Sequence, residues 1–162
     1  MNRRFSQGVL AACTTLGASL FPALTFAAAP TVVPLQATIE IMEQIVAPEE
    51  AYCFMTGKVS GASTVSSLGP LTLASSDCIN PVTQTSFVFV SDDVVLTTAG
   101  GDQIWAAYGG TLSATTGQIQ GTYLIFGGTG RYKRAKGVGT ISGLEDISAG
   151  AGQIQLKGTL SY

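Results

Sequence analysis

The densest group of reactive side chains is Arg131, Lys133, Arg134 and Lys136, four cations within six residues. They follow Gly127-Gly128-Thr129-Gly130, so the backbone N–H groups of a glycine loop and four positive charges meet at one place. That pattern could cradle an anion. The other reading is a strand turn whose glycines supply φ > 0, with the cations solvated and at least one stem packed along the rim of the domain. The second reading is preferred, because no Lys-Ser/Thr pair follows the glycines and no helix start is visible. It predicts no salt-sensitive binding to anionic polymers or lipids.

The remaining inventory excludes more chemistry than it suggests. The chain contains no histidine, which rules out Ser-His-Asp and Cys-His catalysis and His-bearing metal sites. No Gly-x-Ser-x-Gly elbow is present. Asp92-Asp93 and Asp102 stand beside Ser or Gly, where turn formation explains them better than calcium. Glu49-Glu50 follow Pro48 and are expected on the surface. No metal and no cofactor is expected.

The N-terminus reads as an export signal over residues 1–27. Arg3 and Arg4 precede a mostly apolar run from Val9 to Phe26, and Thr25-Phe26-Ala27 offers a cleavage site before Ala28. An uncleaved anchor is disfavoured by Ser6, Gln7, Gly8, Thr14, Thr15, Gly17 and Pro22. Leu10-Ala11-Ala12-Cys13 has lipobox form, although the apolar stretch before Cys13 is very short. The expected location is the periplasm or the medium. Residues 28–162 then form one domain with six basic residues against ten acidic ones, a balance that argues against nucleic-acid binding. Cys53 and Cys78 form an even pair in an exported chain. A disulfide is the natural reading, and two free buried thiols are the alternative.

The elements that must position these residues are β-strands. Alternation and turn residues predict strands at Leu35–Met42, Tyr52–Val59, Leu68–Ser75, Thr85–Ser91, Val94–Thr98, Gln103–Leu112, Gln118–Phe126, Gly137–Ser142 and Gln153–Tyr162. The intervening turns fall at Ala47-Pro48, Gly61-Ala62-Ser63, Asp77 to Pro81, Asp92-Asp93, Gly100 to Asp102, Thr116-Gly117 and Gly150 to Gly152. Ile39 to Ile45 could support a turn or two of helix. Eight or nine strands with short connections must hide their edges, and a closed antiparallel barrel does so; a sandwich is the alternative.

Alternation also assigns an inner face. Ala37, Ile39 and Ile41 point in, as do Ile104, Ala106 and Tyr108, and Tyr123 and Ile125; Glu40 points out. Ile104, Tyr108, Tyr123 and Ile125 are therefore the candidates for contact with a small apolar ligand, against a plainer role in core packing. No carboxylate falls on this inferred lining. General acid–base chemistry needs a positioned titrating group, so catalysis is not the expected role.

Three segments carry a resemblance. GGDQIWAAYGGTL (Gly100–Leu112), GTYLIFGGTGRYKRAKGVG (Gly121–Gly139) and GQIQLKGTLSY (Gly152–Tyr162) together resemble a group of small secreted bacterial proteins related to allene oxide cyclases and dirigent proteins. The resemblance implies an all-β, eight-stranded antiparallel barrel, an interior that takes an apolar or aromatic small molecule, and trimerisation. It carries no catalytic residue onto this chain, and Lys133 stands where the cyclase motif has an acidic residue. The functional expectation is an exported barrel without catalysis, a binder of a small apolar ligand or an extracellular module. An isomerase, cyclase or dirigent-like protein is the alternative.

Overall fold

A computed structural model describes residues 31–162 of the chain; the expected signal at 1–27, with Cys13, lies outside the described residues. Eight strands follow one another: β1 (Val32–Val46), β2 (Met55–Ser66), β3 (Leu71–Pro81), β4 (Ser86–Thr98), β5 (Gln103–Ser113), β6 (Gln118–Gly128), β7 (Lys136–Asp146) and β8 (Ala151–Ser161). A short 3-10 turn, Gly130–Tyr132, joins β6 to β7. Each strand pairs antiparallel with the next, and β1 also pairs with β8. The sheet thus closes into an eight-stranded antiparallel barrel with no free edge.

Alternating apolar residues generate the core. Leu35, Ala37, Ile39 and Ile41 on β1 face inward with Ile154, Leu156 and Leu160 on β8. Burying each large aliphatic side chain contributes about 1.5–3 kcal/mol. The two barrel ends differ. One is packed solid by Leu35, Ile104, Ile125 and Leu160 and capped by Tyr132 from the 3-10 turn, all essentially inaccessible. The other holds the cavity described below.

The structure corrects several expectations. The two segments 85–91 and 94–98 are one strand, β4, and Asp92-Asp93 form a bulge within it instead of a turn. Gly61-Ala62-Ser63 lie inside β2, whose turn comes later, between Ser66 and Leu71. Asp77 to Pro81 belong to β3. Ile39 to Ile45 are extended within β1, because long pairings with β2 and β8 outweigh any local helical preference.

Candidate functional site

Three strands that run beyond their expected ends, β1, β3 and β7, each bring a carboxyl group inward. Glu43 continues the inward series Ile39 and Ile41 on β1. Asp77 continues Leu71, Leu73 and Ser75 on β3. Glu145 follows Ile141 and Gly143 on β7. All three line a cavity of about 40 Å³ at the unplugged end, with Ile41, Val59, Ile79, Phe87, Phe89 and Tyr108 among its walls. The expected absence of a carboxylate on the inner face is therefore wrong.

Backbone geometry makes room for these groups. The Glu43 carboxyl lies over Gly57, where any Cβ would collide with it. The Glu43 N–H donates to Gly150 O at 2.7 Å, and the Glu145 N–H to Gly117 O at 2.9 Å. These bonds anchor the two acidic residues to the turns at this end of the barrel.

The electrostatics follow from burial without a cation. The Glu43 carboxyl is pushed up to about 8 by burial, by the charge of Glu145, by a hydrogen bond shared with Glu145, and by the charge of Asp77. Asp77 is raised to about 6, chiefly by burial; hydrogen bonds from Tyr108 and Ser75 hold it lower than burial alone would. Burial and the neighbouring carboxylates thus favour the protonated form of Glu43 more strongly than that of Asp77. Tyr108 Oη donates to Asp77 Oδ1 at 2.7 Å, Ser75 Oγ donates to the same oxygen at 3.0 Å, and the two hydroxyls lie 2.5 Å apart. Burial and the Asp77 charge keep Tyr108 well above the usual phenol range.

Asp77 and Tyr108 also line a second space. An outer cleft of about 460 Å³ runs between Glu49, Glu50 and Tyr52 on one side and Val90 to Asp93 on the other. It lies where the β3–β4 ladder lapses, between the pairs Ala74–Val95 and Cys78–Val90. There the Asp93 carboxylate replaces a backbone partner, accepting from Ser76 N at 2.9 Å and Ser91 Oγ at 2.7 Å. The Cys53–Cys78 disulfide pins the β1–β2 connection along the cleft, with Cα atoms 5.2 Å apart. The nearby cation Lys58 is engaged by Glu49 at 2.5 Å and Ser76 at 2.7 Å. The asymmetry of this region, a small apolar cavity and a larger acidic cleft sharing two residues, defines the candidate site.

Of the four residues expected to contact a ligand, Tyr108 lines the cavity and the cleft. Ile104 and Ile125 lie in the plugged end. Tyr123 packs beneath Gly139 and Gly158, and its hydroxyl is buried without a hydrogen-bond partner. The basic cluster is at the opposite end from the carboxylates. All four of its cations are exposed, and Arg131 also stacks over the Tyr132 and Tyr162 rings at 4.7 and 5.6 Å and donates to Tyr132 Oη at 2.6 Å. Gly130 supplies the one positive φ of the glycine loop, 52°. Among the described residues no cluster of metal-ligating side chains occurs, and no helix is long and apolar enough to cross a membrane. No known protein family, curated protein or solved structure matches this chain.

Proposed function

We propose that this is an exported barrel of the allene oxide cyclase and dirigent type that binds a small apolar or aromatic molecule at the carboxylate-lined end. The observation that carries this reading is the shared position of Asp77 and Tyr108 between the apolar cavity and the outer cleft. An apolar pocket with a few convergent polar groups and shifted carboxyls is the usual form of a small-molecule site. The cleft has the volume of such a site, whereas the inner cavity accepts only a small group. The ligand body therefore rests in the cleft against Tyr52 and Val90, and its polar end meets Asp77 and Tyr108.

Asp77 accepts hydrogen bonds from a donor on the ligand, and Glu43, when protonated, donates one to an acceptor. An NMR titration with small aromatic alcohols, ketones and amines tests the reading. Shift changes should cluster on Asp77, Tyr108 and the residues around Cys78. Their absence for every compound, or clustering elsewhere, would contradict it.

The second reading is an isomerase or cyclase, and the pair of unequal carboxyls favours it. Two carboxyls in one cavity, both raised by burial and Glu43 the more so, suit an acid and a base in one proton transfer. Asp77 would remove a proton beside a carbonyl and Glu43 would protonate the oxygen. Deuterium uptake by a bound ketone, lost in Asp77→Asn and in Glu43→Gln, would support catalysis. Binding without uptake would leave the protein a binder.

A further inference from the structure

We infer that the barrel end opposite the carboxylates docks on anionic lipid surfaces. Charge is segregated along the barrel axis. Arg131, Lys133, Arg134 and Lys136 all lie at the plugged end, on the connection from β6 to β7. Asp102 is the acidic residue at that end, and its carboxylate is tucked beneath Gly130. The other acidic residues lie at mid-wall or toward the opposite end.

The outer wall leading into the basic connection is apolar. Trp105, Leu124, Phe126 and Val138 point outward on the adjacent strands β5, β6 and β7, with 38%, 54%, 52% and 58% of their surfaces exposed. The register pairs Leu124 with Val138 and Trp105 with Gly127. Ile125 pairs with Gly137, which sets Phe126 beside Lys136 on the outer face. The aromatic and aliphatic patch therefore leads into the connection that carries the exposed cations Lys133, Arg134 and Lys136.

This combination fits an interface that is anionic at its surface and apolar just beneath. The cations meet headgroup phosphates while the aromatic and aliphatic side chains enter the acyl boundary. A soluble polyanion would engage the cations and leave the apolar patch without a role. The acidic far end is repelled from the same surface, so the field of the whole barrel orients it with the plugged end down. The sequence alone favoured a solvated loop, because it does not show that Leu124, Phe126 and Val138, which flank the loop, share one exposed outer face with Trp105 of β5. The inference is independent of the cleft at the other end.

Vesicle co-sedimentation of the protein recovered from its exporting cell tests it. Variants carry the same N-terminus, so any contribution from that segment cancels. Wild type should partition onto vesicles containing phosphatidylglycerol. Partitioning should weaken as salt rises through about 0.1 M, where the screening length is about 10 Å. The Lys133→Gln, Arg134→Gln, Lys136→Gln triple variant should lose roughly 100-fold in partitioning. Arg131 is spared because it packs on Tyr132 and Tyr162. Trp105 is the sole tryptophan, so its emission should shift blue on vesicles and be quenched by brominated lipid. A Leu124→Ser, Phe126→Ser double variant should lose that quenching with its cations intact. Equal partitioning onto neutral phosphatidylcholine would overturn the inference. So would retention by heparin without vesicle binding, or self-association that shields Trp105 and leaves no vesicle binding.

Discussion

Tyr108 on β5 donates a hydrogen bond to Asp77 on β3 at 2.7 Å, spanning β4, which lies between their strands. The contact forms where β4 bulges at Asp92-Asp93 and its ladder with β3 lapses. A bulge that a local reading takes for a turn thus lies where Asp77 and Tyr108 line both the cleft and the inner cavity.

The first prediction concerns that bond. Tyr108 and Ser75 both hold the Asp77 carboxyl below the value burial would give it. Tyr108→Phe should therefore move the Asp77 titration upward from about 6. Carbon NMR of the Asp77 side chain through a pH series reads this directly. An unchanged or lower midpoint would show that the bond does not govern Asp77.

The second is a pH dependence of stability. Glu43 and Asp77 both titrate higher in the folded chain than their ordinary values of 4.5 and 3.8. Each folded-state proton is bound more tightly than in the unfolded chain. Their contribution is fully present below the ordinary values and is lost as pH rises through about 6 for Asp77 and about 8 for Glu43. Thermal melts should give a Tm at pH 5 several degrees above that at pH 8. Glu43→Gln, which cannot ionise, should flatten most of that difference.

The third concerns Tyr123. Its hydroxyl is buried and unpaired, and burial raises its pKa to about 12. Removing an unsatisfied buried polar group is neutral or favourable. Tyr123→Phe should leave Tm unchanged or raise it slightly. Gly139→Ala and Gly158→Ala should instead destabilise the barrel, because a Cβ at either position runs into the Tyr123 ring end and the neighbouring backbone. Urea melts of the three variants separate these outcomes.

The fourth concerns the disulfide. Cys53 and Cys78 are 25 residues apart, so the bridge constrains the unfolded chain by roughly 3–4 kcal/mol in the chain-entropy picture. A Cys53→Ser, Cys78→Ser variant should lose stability of that order in denaturant melts. It should also free the β1–β2 connection beside the cleft, seen as faster amide exchange at Tyr52 and Phe54. A loss well under 1 kcal/mol with unchanged exchange would contradict this.

How much of this was legible in the sequence depends on distance along the chain. The inward series on β1, β5, β6 and β8 could be read from alternation, and so could the pairing of the two cysteines. The carboxylates were missed because each lies just past a point where the apolar series stops. Ending β1 at Met42, β3 at Ser75 and β7 at Ser142 left Glu43, Asp77 and Glu145 outside the strands. Extending the same period of two by one to three residues places all three inside. A charged residue at an inward position ordinarily marks the end of a strand, and here all three line a cavity. Ile104 and Ile125 share the inward parity of Tyr108, but parity does not say which end of the barrel is plugged. Tyr132 decides that, and its burial arises from the fold of the β6–β7 connection, which no periodicity reveals.

The most direct test of the ligand-binding account is native mass spectrometry of the protein purified from its own host, comparing wild type with the Asp77→Asn, Tyr108→Phe double variant. The account predicts a defined small-molecule adduct on wild type that the double variant retains weakly or not at all while remaining folded. Wild type free of any adduct, together with no change in Tm across a panel of small aromatic compounds, would contradict it.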